Sequence, residues 1–187
     1  MRHRELDRKN NFYVITGGPG AGKTTLLNAL GARGFNIIPE DARKIIKQQT
    51  DMNGEGLPWK NARYFTHLML EASVRSYEAI QDRSEAIHFF DRGIPDTLCY
   101  ADMIGLGISA EMDRTAKKCP YNSIIFMLPP WPEIYQTDEE RKQSWEEAVF
   151  TYTKMKETYI KYGYELVEVP KDEIENRVRF VIDKIRL

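Results

Sequence analysis

The sequence predicts an α/β fold of three layers, a five-stranded parallel sheet with helices on both faces. Three observations carry that prediction. Short apolar runs alternate with longer amphipathic ones from residue 12 onward, as in strands joined by crossover helices. A glycine-rich stretch, Gly17-Gly18-Pro19-Gly20-Ala21-Gly22-Lys23-Thr24, joins the first such run to the first helix. Polar pairs close the next two runs, Glu40-Asp41 and Asp91-Arg92, at the strand ends where parallel sheets gather their ligands.

In order, residues 1–11 are charged, lack the apolar stretch of a signal peptide and are expected to fray. Phe12 to Thr16 reads as the first strand. A helix follows from Lys23 to Arg33, stopped by Gly34. Phe35 to Pro39 is the second strand, and Glu40-Asp41 opens a helix through Lys47. Residues 51–58 form a turn-rich loop. Trp59 to Arg83 reads as one long helix with Ala62, Phe65, Leu68, Met69, Ala72 and Tyr77 inward. Ala86 to Phe90 is the third strand; Pro95, at a first-turn position, begins a helix that Gly105-Leu106-Gly107 breaks. Ser109 caps a helix over Ala110–Lys118, and Ser123 to Leu128 is the fourth strand. Pro129-Pro130-Trp131-Pro132 ends it and leads into a polar stretch, so 129–144 is expected to be a lid-like flap. A helix from Trp145 to Tyr162, a fifth strand over Tyr164–Pro170 and a terminal helix starting at Asp172 complete one expected domain, 1–187.

Composition narrows the function. A formal net charge of -1 gives no broad basic field for nucleic acid or an anionic membrane. No apolar run approaches the ~20 residues of a membrane span. Cys99 and Cys119 stand far apart in no metal-type spacing, which fits two reduced cysteines in a cytoplasmic protein.

The glycine-rich stretch fits G-x-x-x-x-G-K-[ST] at every fixed position and has the strand–turn–helix context that motif requires. Its glycines let the backbone curl so that amide hydrogens face inward around anionic oxygens. The following helix adds about +0.5 charge at its N-terminus. Gly18, Pro19, Gly20, Ala21, Gly22, Lys23, Thr24 and Thr25 are therefore the candidate contacts for ATP or GTP, with Lys23 reaching the β and γ phosphates and Thr24 offering its hydroxyl to Mg²⁺. Asp91, ending an apolar strand, is either the second Mg²⁺-handling carboxylate or a cap for the helix at Pro95. Arg92 either pairs a phosphate through its planar fork or forms a structural salt bridge. Glu40 could take the proton of an attacking hydroxyl; the alternative is that Glu40 and Asp41 cap the next helix. Arg141, beside Lys142 on the expected flap, would close over the phosphates, or else lie on a solvated charged face. His67 and Glu71 are four apart on a helix, read as surface or packing rather than a metal pair. Trp131 reads as core or hinge packing, or as lying over a planar ligand, and Tyr152, Tyr159 and Tyr162 as core and rim.

Taken together, Val14–Thr25, Ile38-Pro39-Glu40-Asp41-Ala42-Arg43, Phe90-Asp91-Arg92-Gly93-Ile94-Pro95-Asp96 and Tyr164–Pro170 resemble the NadR/TRP-translocation-defect-like AAA domain family over nearly the whole chain from Asn11. The resemblance implies a three-layer P-loop NTPase fold of the nucleoside and nucleotide kinase type. It implies an acceptor-contacting acid at Glu40, an acid–arginine pair at Asp91 and Arg92, and a flap arginine at Arg141. The loop after the fifth strand would meet the purine through Pro170, Lys171 and Asp172. One departure is the flap, which carries a single arginine beside Lys142 rather than several.

Two functions are then expected to compete. One is an ATP-dependent kinase moving the γ-phosphoryl group to a hydroxyl of a small, nucleoside-like metabolite. The other is an ATP- or GTP-binding switch that hydrolyses slowly and binds a partner. No N-K-x-D guanine reader is present, and Asp102-Met103-Ile104-Gly105 matches D-x-x-G only inside an expected helix. A mechanical ATPase would want Asp-Glu where this chain has Asp91-Arg92.

Overall fold

Strand β1 (Phe12–Gly17) is buried along its whole length, because it runs through the middle of the sheet. The computed structural model describes residues 9–80, 86–134 and 144–185. Four further strands, β2 (Asn36–Ile38), β3 (His88–Asp91), β4 (Ile124–Leu128) and β5 (Glu165–Glu168), pair in parallel in the order β2-β3-β1-β4-β5. Val14 stands opposite both Phe90 and Ile125, and Ile15 opposite Asp91.

Side-chain alternation sorts the helices into two layers. Phe12, Val14, Phe90, Ile125 and Met127 face a core shared with α3 (Ala62–Glu78), α4 (Ile94–Met103) and α6 (Trp145–Lys161), through Tyr77, Leu98 and Tyr159. Tyr13, Ile15, Phe89, Phe126 and Leu128 face the opposite core with α1 (Lys23–Gly31) and α7 (Ile174–Ile185), through Leu26, Leu30, Val178 and Val181. Residues such as Val14, Ile15, Leu26 and Leu98 are wholly removed from water, each stabilising the fold by about 2 kcal/mol. His88 is a core histidine, its ring edge-on to Phe12 and its pKa lowered by burial. Helix α2 (Asp41–Asp51) packs on α3 through Ile45, Phe65, Met69 and Ala72, and α5 (Ala110–Lys118) is capped by Ser109 as its sequence predicts.

Some boundaries differ from expectation. The long helix begins at Ala62, not Trp59, because Lys60 and Asn61 turn back onto the Leu57 carbonyl and the Asn61 side chain caps Tyr64 N. Trp59 is left exposed. That helix ends at Glu78, and residues 81–83 lie outside the described set. The second strand loses both ends, since Phe35 N bonds back to Leu30 O and Pro39 has no N–H to give. The terminal helix starts at Ile174; Asp172 precedes it and accepts from Glu173 N and Asn176. Of the expected flap, 135–143 lie outside the described residues, while Ser144 and Glu147 form a reciprocal cap on α6. No described helix is long and apolar enough to cross a membrane.

Candidate functional site

The glycine-rich loop leaves the carboxyl end of β1 and enters α1 through Gly22, whose φ of 80° lies in the left-handed region that L side chains resist. Gly17 has a second reason to lack a side chain: a Cβ there would come within 2.5 Å of the Leu128 carbonyl oxygen on β4. The first turn of α1 carries no acidic residue, so its positive end is not neutralised locally. Thr24 and Thr25 are exposed in that turn.

Lys23 is buried and folds back over the loop, its Nζ donating to the Gly17 carbonyl at 2.9 Å and the Gly18 carbonyl at 3.2 Å. Burial, and then the neighbouring Arg92 cation, lower its pKa to about 8 against the pull of Asp91, Glu40 and Asp96. Four groups from the ends of β2 and β3 and the start of α4 therefore act on one ammonium.

Glu40, at the mouth of β2, does not cap α2 with its side chain. Its Oε1 accepts instead from Arg92 Nε at 3.0 Å, so Glu40 is the N-cap residue of α2 by position but does not cap it through its carboxylate. Asp41 is the first residue of α2 and accepts from Ser76 Oγ at 3.0 Å. Asp91 does not cap α4 either: the cap is Gly93. Asp91 Oδ1 is buried with no hydrogen-bond partner, and burial is the main cause that raises its pKa, with Lys23 opposing.

Arg92 takes the salt-bridge alternative, between Glu40 and Asp96, whose Oδ1 lies 3.3 Å from Nη1. Burial works against its charge, but the carboxylates of Glu40, Asp96 and Asp91 more than reverse this and raise its pKa. Its backbone is held at φ 71°, costing about 1 kcal/mol in a residue with a Cβ.

Sequence reasoning missed the role of Asp96. Its carboxylate is buried and also accepts from Thr16 Oγ1 at 2.5 Å, Tyr159 Oη at 2.5 Å and Gly93 N at 2.8 Å. It therefore ties β1, the β3–α4 turn and α6 together beneath Arg92. The signal that was available is its position three residues past Gly93, where an acid reaches back to a helix's first amide.

A cavity of about 390 Å³ opens beside the loop, within the size range of small-molecule sites. Glu40, Asp91, Arg92 and Asp96 line its polar end. Phe65, Met69, Tyr100 and Met155 line its apolar walls. Phe65 and Tyr100 meet edge-on with centroids 5.9 Å apart. The ionisable lining is acidic, with Glu40, Asp41, Asp91 and Asp96 against Arg92 alone among the described residues.

The donor set fits Mg²⁺. A buried, unpartnered carboxylate oxygen on Asp91 and an exposed hydroxyl on Thr24 are oxygen ligands of the kind a hard cation takes alongside substrate phosphates. No cluster of three or more acidic, His or Cys side chains that could hold a metal alone occurs among the described residues.

The structure thus brings Lys23, Glu40, Asp91 and Arg92 together. It does not bring Lys171 to them: this residue is exposed after β5 and is not among the cavity's walls. Arg141 and Lys142 lie outside the described residues. His67 and Glu71 form an exposed pair at 3.3 Å, Trp131 packs on the Arg177 guanidinium at 5.5 Å, and Asp102 sits inside α4.

A family model described as an AAA domain matches residues 12–177. Among solved structures, NadR protein in complex with NR is similar at 20% identity, covering 94% of this chain and 50% of that one, with a TM-score of 0.65. Thymidylate kinase from Candida albicans is similar at 16% identity, 94% and 91% coverage and a TM-score of 0.62. YorR protein from Bacillus subtilis, in complex with phosphorylated GDP, is similar at 13% identity, 94% and 96% coverage and a TM-score of 0.59. The chain spans about half the length of the NadR protein it matches. No curated protein matches it by sequence. At these identities the likeness is one of fold, the three-layer nucleotide-kinase type of P-loop protein.

Proposed function

The chain belongs to the AAA domain family, and from that premise we propose that it is a phosphotransferase that moves the γ-phosphoryl group of ATP to a hydroxyl of a small, nucleoside-like acceptor. We read 1–187 as one kinase-like domain with 129–144 as its flap, working in the reducing cytoplasm, where the free cysteines Cys99 and Cys119 stay thiols. The observation that carries the proposal is that Glu40, Asp91 and Arg92, which line a cavity of about 390 Å³, all act on Lys23 of the glycine-rich loop.

In this reading the polyphosphate draws Lys23 Nζ away from the Gly17 and Gly18 carbonyls and onto the β and γ oxygens. Thr24 and Asp91 would hold Mg²⁺, which supplies charge neutralisation to the phosphates. The acceptor lies in the cavity against Phe65 and Tyr100 with its hydroxyl toward Glu40. Its oxygen bonds to the γ-phosphorus, the bond to the β,γ-bridging oxygen breaks, ADP leaves, and the hydroxyl proton passes to Glu40. Positioning and fixed charge supply most of the acceleration, so Glu40 need not be a strong base.

The acidic lining favours a neutral or cationic acceptor over one that already bears a phosphate, because Arg92 is committed to two carboxylates. The test is a thermal-shift screen of nucleosides, nucleoside monophosphates and related polyols with a non-hydrolysable ATP analogue and Mg²⁺, followed by ADP-release assays on the hits. An uncharged acceptor that raises the melting temperature and is phosphorylated supports the proposal. Absence of transfer to every candidate would leave the nucleotide-binding switch as the better reading.

A further inference from the structure

Arg177 lies on α7, far in sequence from the loop, yet it is only 4% exposed and packs against it. Its Nη2 donates to the Ala21 carbonyl at 3.2 Å, and its Nη1 lies 2.8 Å from where a Cβ on Gly22 would stand. Its Nε is buried with no partner, and among the described residues its side chain is bonded to no carboxylate. Trp131, just past β4, covers the guanidinium with its ring 5.5 Å from Cζ. A buried guanidinium without a counter-ion costs stability, so a cation kept here calls for a reason.

The reason lies in the peptide plane. The Ala21 carbonyl and the Gly22 N–H belong to one planar trans peptide and point in opposite directions. A charged donor that fixes the carbonyl outward therefore aims the amide inward, toward the concavity of the loop. We propose that Arg177 is a positioning residue for the phosphate loop, clamping the Ala21 carbonyl so that the Gly22 amide is set for a phosphate oxygen, with Trp131 holding the guanidinium in place. The same fixed charge attracts the polyphosphate from behind the loop. This rests on the phosphate-loop reading above and adds a residue from the opposite end of the chain. It also explains the glycine at position 22 beyond its backbone angle: a side chain would meet the clamp.

Calorimetric titration of wild type, Arg177→Met and Arg177→Lys, each with Mg²⁺ and either a non-hydrolysable ATP analogue or inorganic tripolyphosphate, tests the proposal. Methionine keeps the apolar packing on Trp131 and removes the donor. It is expected to weaken both ligands by the same factor, about tenfold, with the ligand-free melting temperature moving by less than about 5 °C. Lysine keeps the charge and one donor, and is expected to return both affinities to within about threefold of wild type. Should Arg177→Met not fold, Arg177→Leu makes the same comparison, again without a donor. Unchanged affinity, a loss confined to the nucleotide, or a loss that lysine does not recover overturns the proposal. Tight binding by wild type with any of those outcomes leaves the function reading standing, whereas a wild type that binds neither ligand overturns both.

Discussion

Glu40 Oε1 and Arg92 Nε meet at 3.0 Å across the carboxyl ends of β2 and β3, neighbours in the sheet but 52 residues apart in sequence. The pair sets what each partner can do. Arg92 holds the Glu40 carboxylate at the polar end of the cavity, and Glu40 with Asp96 keeps the guanidinium from turning freely toward an incoming phosphate.

Glu40→Gln keeps the acceptor oxygen for Arg92 but removes the carboxylate. Phosphoryl transfer should fall about 100-fold, while the dissociation constant for the ATP analogue stays within about twofold. Steady-state kinetics beside a binding titration separates the two, and parallel losses would remove Glu40 from the transfer step.

Asp96→Asn breaks a buried carboxylate that accepts from Thr16, Arg92, Gly93 and Tyr159. An amide nitrogen must then face a donor. The expected destabilisation is about 3 kcal/mol, or roughly 10 °C in melting temperature. Calorimetric unfolding measures it; a shift below about 2 °C would mean that the network contributes little.

Lys23 has a pKa lowered to about 8 in the free protein. Polyphosphate binds the protonated form and raises that pKa, so the complex carries more proton than the free protein above about 8. Affinity for the ATP analogue should therefore hold steady from pH 7 to about 8 and fall by up to tenfold per unit above it. Arg stays charged throughout, so Lys23→Arg should bind more weakly but without that alkaline fall. A wild-type profile flat to pH 9.5 would contradict the assignment.

Asp91→Asn alters a carboxylate whose Oδ1 is buried without a partner. The Mg²⁺ concentration needed for half-maximal tightening of nucleotide binding should rise about tenfold, with metal-free binding little changed. Titrations of nucleotide at graded Mg²⁺ read this directly.

How far the sequence reaches is clear from particular residues. The loop was legible because its glycines, Lys23 and Thr24 are contiguous, and their chemistry needs that spacing. The parallel sheet was legible because runs such as Phe12–Ile15 and Ile125–Leu128 are buried on both sides and read as apolar throughout. The pairing of Glu40 with Arg92 was not, since either residue had a sound local use: a helix cap for one, a phosphate contact for the other. Only strand order makes β2 and β3 neighbours. The reach of Asp96 to Tyr159 and of Arg177 to Ala21 escaped for the same reason: these pairs are 63 and 156 residues apart, where no periodicity reports. Strand and helix ends shifted where single residues intervened, Pro39 at β2 and Asn61 at α3.

Calorimetric titration of Mg²⁺ and a non-hydrolysable ATP or GTP analogue into wild type and Lys23→Ala bears most directly on the central claim, that the curl of backbone at residues 17–24 grips a polyphosphate. Saturable one-to-one binding by wild type, weakened at least about 100-fold without the ammonium, is the expected result. Equal affinity in the two proteins would contradict it.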